Sequence, residues 1–228
     1  PTSPGGKPRE HPRWPGENER DAPVAVRKVE AVDLARGLLN VVDVEATCWE
    51  GEPPAGSVSE IIEIGLTVID TSTKTRLSRD SVLVRPQHSA VSGFCTELTS
   101  LTQAEVDRGV TFAEACRLLA EEFATARRPW ASWGGYDRRQ FARQCRAEGV
   151  PYPFGDPGAY PHTNAKAVFA AAYGLRRQPG MKQALEIAGL PLDGRHHRGV
   201  DDAWNIAGLV LDLVGRGAWP GTGRPEAG

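Results

Sequence analysis

Asp43-Val44-Glu45 places two acids two positions apart at the end of the apolar run that begins at Leu38. In a strand, side chains alternate, so both carboxylates would project from one face. Carboxylates that close repel each other unless a proton or a cation lies between them. An oxygen-only donor set of this kind suits hard divalent ions such as Mg²⁺ or Mn²⁺. The bland alternative is a strand end emerging into solvent. A second candidate is His196-His197-Arg198-Gly199-Val200-Asp201-Asp202, which contains His-x4-Asp in two registers. On a helical wheel with Asp202 at the origin, Leu213, Ile206 and Val210 fall at about 20°, 40° and 80°, and Leu209 at about 340°. Asp202 therefore shares the buried stripe, whereas Asp201, at about 260°, falls with Asn205 and Asp212 on the polar side. An inward acid is costly without a partner, so the inward register is His197 with Asp202. An imidazole titrates near neutrality and suits proton transfer; a surface loop imidazole is the alternative. Asp137 is the third candidate, an acid at a helix start just beyond a strand, where a plain N-terminal cap is the competing reading.

These residues need a scaffold, and the hydrophobic periodicity supplies one. Leu38–Val44 reads as a buried strand, Ile61–Ile69 as a second and Ser81–Arg85 as a third, with an Asp70-Thr71-Ser72-Thr73 turn implying an antiparallel hairpin. Thr111 with Glu114 predicts a capping box that opens a helix through Phe123. Pro129–Trp133 reads as a short strand ending in Gly134-Gly135. Helices are predicted over 137–148, 165–173, 181–188 and 200–214. Strands first and then mostly helices give an α/β domain with a mixed sheet.

Taken together, these residues resemble the DEDDh family of 3′–5′ exonucleases, in the DnaQ-like branch of the ribonuclease H-like superfamily. The resemblance rests on Val42-Asp43-Val44-Glu45-Ala46-Thr47-Cys48, Glu60-Ile61-Ile62-Glu63-Ile64-Gly65, Phe94-Cys95-Thr96-Glu97-Leu98-Thr99 and Gly194 through Asp202. It is nearest to the branch holding the histone-mRNA and small-interfering-RNA exonucleases and the sporulation-kinase-inhibitor-like proteins, and it spans about Leu38 to Val214. It implies a ribonuclease H-like mixed five-stranded sheet flanked by helices. It also implies two Mg²⁺ or Mn²⁺ ions per site, with Asp43 as the bridging ligand, Glu45 and Asp202 completing the shells, Asp137 acting directly or through water, and His197 as the general base. The reaction implied is hydrolysis from a free 3′ end, releasing nucleoside 5′-monophosphates. By the same resemblance, the Phe94–Thr99 segment brackets the terminal base between Phe94 and Leu98, with Thr99 alongside. Ala46 and Thr47 approach the terminal sugar, where a 2′-hydroxyl can be read.

Composition sets the frame. Of 228 residues, 27 are Lys or Arg and 29 are Asp or Glu. The near-neutral total conceals a split: residues 134–200 carry 10 basic and 5 acidic side chains, whereas residues 24–133 carry 11 and 16. On the helix after Asp137, Arg139, Arg143 and Arg146 form a stripe that would contact backbone phosphates; an exposed, solvated face is the alternative. Gly and Pro crowd residues 1–23 and 215–228, which reads as disordered tails around one domain at 24–214. No apolar run is long enough to cross a membrane. Four scattered cysteines fit a reducing, cytoplasmic setting rather than a zinc module or disulfide framework. The expected partner is nucleic acid with a free 3′ end, single-stranded RNA ahead of DNA. The rivals are a DNA exonuclease of the proofreading or repair type and a regulatory binding protein on an exonuclease scaffold.

Overall fold

A computed structural model describes residues 37–156 and 161–220. The apolar run forms the central strand β1 (Leu38–Ala46), buried along nearly its whole length. That is the signature of a strand covered on both faces. On one side lies β2 (Ile61–Asp70), antiparallel to β1, in a register that sets Asp43 opposite Gly65 and Glu45 opposite Glu63. The chain turns at Asp70, whose Oδ1 accepts from the backbone N–H of Ser72 and Thr73. It returns as β3 (Thr75–Arg76) and β4 (Asp80–Leu83), which pair with different stretches of β2. On the other side, β5 (Trp130–Ser132) and then β6 (His162–Asn164) run parallel to β1. The sheet is mixed, as expected, but has six strands rather than five. β3 and β6 are two and three residues long, too short to carry a period.

Helices cover both faces. α1 (Gly93–Thr99), α2 (Gln103–Val106) and α3 (Phe112–Glu122) precede β5; α4 (Tyr136–Glu148) follows it; α5 (Ala165–Ala172), α6 (Met181–Ala188) and α7 (Gly199–Gly215) close the chain. Val42 and Val44 pack with Phe112, Leu119 and Phe141 on the α3/α4 face. Leu39 and Val41 pack with Phe169, Leu185, Ile206 and Leu209 on the α5–α7 face. Asp43 and Glu45 share the parity of Val41, so they emerge on the α7 face where the apolar layer ends. Position there is set by backbone contact: a Cβ built on Gly65 would lie 1.9 Å from the Gly199 carbonyl oxygen. Only glycine lets β2 and the first turn of α7 meet this closely.

Several expectations need correction. Thr111 caps α3 by accepting from the Glu114 N–H, but the Glu114 carboxylate turns to Arg117 instead of back to the cap. The reciprocal capping box is at Thr102 and Glu105, opening α2; neither α1 nor α2 is evident from periodicity, because each is at most seven residues long. Asn205, assigned to the polar side of α7, is buried, and its amide binds the Asp193 and Asp201 carbonyls. The C-terminal tail does not begin at 215. Ala218 N donates to the Leu213 carbonyl, and Ala218 and Trp219 pack on the α7 core. The N-terminal tail and residues 24–36 of the domain lie outside the described residues.

Candidate active site

Four acids converge where β1 ends. Asp43, Glu45 and Asp202 bring carboxylate oxygens within 4.8 Å of one another. Asp137 arrives from the opposite face of the sheet, in the first turn of α4. Gly135 is the cap of that helix, so Asp137 is not a plain cap. Its Oδ1 instead accepts from the Val44 N–H at 3.1 Å, which suspends α4 from the central strand. Burial, then repulsion from Asp137, Glu45 and Asp202, raises the Asp43 carboxyl well above the usual carboxylate range. Burial, then Asp202 and Glu63, pushes Glu45 up to about 8. Burial also raises Asp137 and Asp202, each partly relieved by hydrogen bonds. Acids that crowd together with too few donors fit a hard divalent cation in both atom type and charge. Asp43, Glu45 and Asp202 would hold it, with Asp137 beside them.

The histidines sit in the loop that leads into α7. Asp202 is buried as the wheel requires, but the imidazole it holds belongs to His196, whose Nδ1 lies 2.9 Å from Oδ2. His197 contributes its backbone N–H to the same oxygen at 3.0 Å. The expected His197–Asp202 pairing is therefore made through the main chain. The cause is the backbone of His197, which turns through the left-handed region at φ 66°. That turn stacks the two rings with centroids 3.9 Å apart. The His197 ring has no hydrogen-bonding partner among the described residues. It is partly exposed, and one of its nitrogens lies within 4.8 Å of the Asp202 carboxylate. Burial, then His196, lowers its pKa.

A model of the exonuclease family (RNase_T) matches residues 41–210. The chain belongs to that family. Human 3′-5′ exoribonuclease 1 is 32% identical over 183 residues, covering 76% of this chain and 51% of its own length. The Drosophila melanogaster 3′-5′ exonuclease Snipper is 28% identical over 200 residues, 78% of this chain and 69% of its own. The solved nuclease domain of 3′hExo, a DEDDh family member bound to rAMP, superposes with a TM-score of 0.70 at 29% identity, covering 80% of this chain and 94% of that one. The chain thus spans about half the length of the human, rat and mouse 3′-5′ exoribonuclease 1 relatives. The ribonuclease H-like fold and the DEDDh resemblance both stand, and exonucleases of this type use divalent metal.

The exonuclease domain treats its expected substrate residues unequally. Phe94 is apolar yet 38% exposed, and Leu98 is half-buried; neither belongs to a core cluster. Helix α1 is docked on the strand end: Ser92 Oγ donates to the Cys48 carbonyl and Cys95 Sγ to the Ala46 carbonyl. Ala46 is buried at the β-bulge that ends β1. The Thr47 hydroxyl is buried, donating to the Val58 carbonyl and accepting from the Glu60 N–H. Thr99 sits deeper than these. Its side chain is fully buried and its hydroxyl binds Cys95 O and Leu101 N, closing the end of α1 rather than facing a ligand. The arginine stripe is divided as well. Arg139 lies against the helix start near Gly135 and Asp137. Arg143 is bound to the Ser59 carbonyl and Gln140. Arg146 faces a different surface.

Sequence reasoning passed over Glu60 and Glu63, although both stand in a quoted motif. Glu63 is fully buried and accepts from Arg198, the Gly199 N–H and the Ser81 hydroxyl. It thereby fixes the turn that follows His197. Glu60 accepts from the backbone N–H groups of Gln87 and His88 at 2.7 and 2.9 Å, anchoring the segment that leads to α1. Asp201, on the outer face, holds the same histidine loop through Arg195 N and Arg79. Three apart on a strand, the two glutamates face opposite sides, a spacing that signals two anchors rather than one site.

Proposed function

We propose that the protein is a divalent-metal-dependent 3′–5′ exonuclease acting on single-stranded RNA and releasing nucleoside 5′-monophosphates. The observation that carries this reading is the carboxylate cluster of Asp43, Glu45 and Asp202 within 4.8 Å, with the partly exposed imidazole of His197 at its rim. The human relative named for exoribonuclease activity and the neighbour bound to rAMP support the choice of RNA. A structure of histone mRNA stem-loop recognition by a 3′-exonuclease, 29% identical with a TM-score of 0.70, points to the same class of substrate.

Two Mg²⁺ or Mn²⁺ ions, held by Asp43, Glu45, Asp202 and Asp137, would stabilise charge on the attacked phosphate and on the departing oxygen. His197 accepts a proton from water as that water's oxygen attacks the last phosphorus. The bond between phosphorus and the 3′ oxygen breaks, and that oxygen takes a proton from solvent water, so the shortened strand ends in a 3′-hydroxyl. His196, held by Asp202, braces the His197 ring by stacking. Phe94 and Leu98 contact the terminal base from its two sides, and stacking of this kind accepts any base. The segment at Ala46 and Thr47 lies beside the terminal sugar. Among the described residues no helix is long and apolar enough to cross a membrane. All four cysteines are free thiols, in keeping with a reducing cytoplasmic location.

The test is product analysis on matched 3′-hydroxyl RNA and DNA oligomers with Mg²⁺ or Mn²⁺, and again with EDTA. Mononucleotide 5′-phosphates from RNA, abolished by EDTA, are expected. Faster release from DNA would transfer the reading to a DNA exonuclease, and inactivity on every 3′-ended strand would favour a binding role.

A further inference from the structure

The side of α4 away from Asp137 forms one wall of a cavity of about 670 Å³. Arg138, Ala142 and Arg146 line it from the helix, Trp130 and His162 from the edge of the sheet, and Tyr152 from the loop beyond α4. Among the described residues that line it there is no carboxylate. Arg138 and Arg146 are exposed and eight residues apart, so they stand about 12 Å apart along the helix axis. Tyr152 and His162 are partly buried, each with ring surface available. His162 is neutral, because burial, then Arg138, pushes its pKa down to about 4. Its Nε2 lies 2.9 Å from Ser132 Oγ, and the Ser132 hydroxyl donates to the Gly134 carbonyl just ahead of α4. Ser132, fully buried, thus links the cavity wall to the loop that opens α4.

Cations spaced along a groove, with aromatic faces between them, match a single nucleic-acid strand: phosphates on the arginines and a base on the rings. We infer that this cavity binds a nucleotide of the substrate strand upstream of the 3′ end, its base against Tyr152 and His162 and its flanking phosphates on Arg138 and Arg146. The inference rests on the proposed function for its ligand, but binding can be read without cleavage.

The experiment measures fluorescence anisotropy of the full chain in EDTA with 5′-labelled, 3′-hydroxyl RNAs of about three and about eight nucleotides. The wild type should bind the longer strand roughly tenfold more tightly. Arg138→Gln/Arg146→Gln should lose that gain, and the slope of log affinity against log salt should fall by about 1.4, two phosphates at roughly 0.7 each. Tyr152→Leu, which keeps an apolar side chain in place, should lose part of the gain and leave the slope unchanged. Equal gain and equal slope in wild type and both variants would overturn the inference, as would a wild type with no length dependence. Length-dependent binding without metal-stimulated cleavage would sink the proposed function and leave the cavity standing.

Discussion

β1 carries Asp43 and Glu45, its neighbour β2 carries Glu63 with Glu60 just ahead of it, and Glu45 and Glu63 are opposed in register. Their surroundings differ completely. Glu60 and Glu63 are satisfied by the protein itself, through backbone N–H groups, a hydroxyl and a guanidinium. Asp43 and Glu45 face mainly other acids. Burial is similar, so burial does not distinguish an anchor from a site. The supply of donors does: a buried carboxylate with partners holds two pieces of chain together, and a cluster without them holds charge open for an external cation.

The largest effect separates the pairs directly. Asp43→Asn should reduce nuclease activity to background, while leaving the metal-free unfolding midpoint unchanged or higher, because it relieves repulsion within the cluster. Glu63→Ala should do the reverse to the fold. It strands Arg198, whose side chain is 27% exposed, at a cost of about 3 kcal/mol, the low end for breaking a buried pair. Calorimetry of both variants decides. An equal fall in midpoint for both would remove the distinction between anchor and site.

The next effect concerns the two histidines. His197→Ala should lose about 10²–10⁴ in kcat, the range for a general base. His196→Ala should lose less and should shift the pH profile of the remaining activity, since it removes the ring that braces His197. Steady-state rates across pH with saturating metal give the comparison. If His196→Ala lost the greater part, the proton would pass through the imidazole that Asp202 holds.

Much of the site was legible because its residues violate local expectation. Asp43 and Glu45 interrupt an apolar strand, and Asp202 interrupts an apolar helix stripe, so periodicity exposes them. The anchors were not legible for the opposite reason: Glu60 and Glu63 are satisfied by backbone N–H groups at 87, 88 and 199, and no side-chain pattern records a backbone donor. The same blindness hid the turn at His197, where a left-handed residue exchanges which part of which histidine meets Asp202. Short elements escaped too. β6 has three residues and no period, yet it forms the sheet edge beside α4. Thr99 appeared as a substrate contact from its place in a motif, and only packing shows that it faces the core.

A smaller effect is the pH dependence of the metal-free fold. Glu45 rises from its ordinary 4.5 to about 8 on folding. Its contribution is fully present below about pH 4.5 and is lost as pH climbs through about 8, and Asp43 shifts in the same direction. The metal-free midpoint should therefore fall by several degrees between about pH 5 and about pH 9, and Mg²⁺ or Mn²⁺ should restore more at the alkaline end. Scanning fluorimetry with and without EDTA reads this. A fall that persists in Asp43→Asn/Glu45→Gln would have to come from charges outside the cluster.

The smallest effect tests the other anchor. Glu60 holds Gln87 and His88 and so sets the approach of α1, the helix that carries Phe94 and Leu98. It touches neither the carboxylates nor the histidine loop. Glu60→Gln keeps the shape and one acceptor, but faces two N–H donors with an amide whose nitrogen cannot accept. The segment should loosen and the terminal base should be held less well. KM should rise by about three- to tenfold with kcat nearly unchanged, the pattern of lost uniform binding. A matched fall in kcat would mean that Glu60 and Glu63 do not divide their work, one for the base pocket and one for the histidines, and that the stretch from Glu60 into β2 moves as a single unit beneath the site.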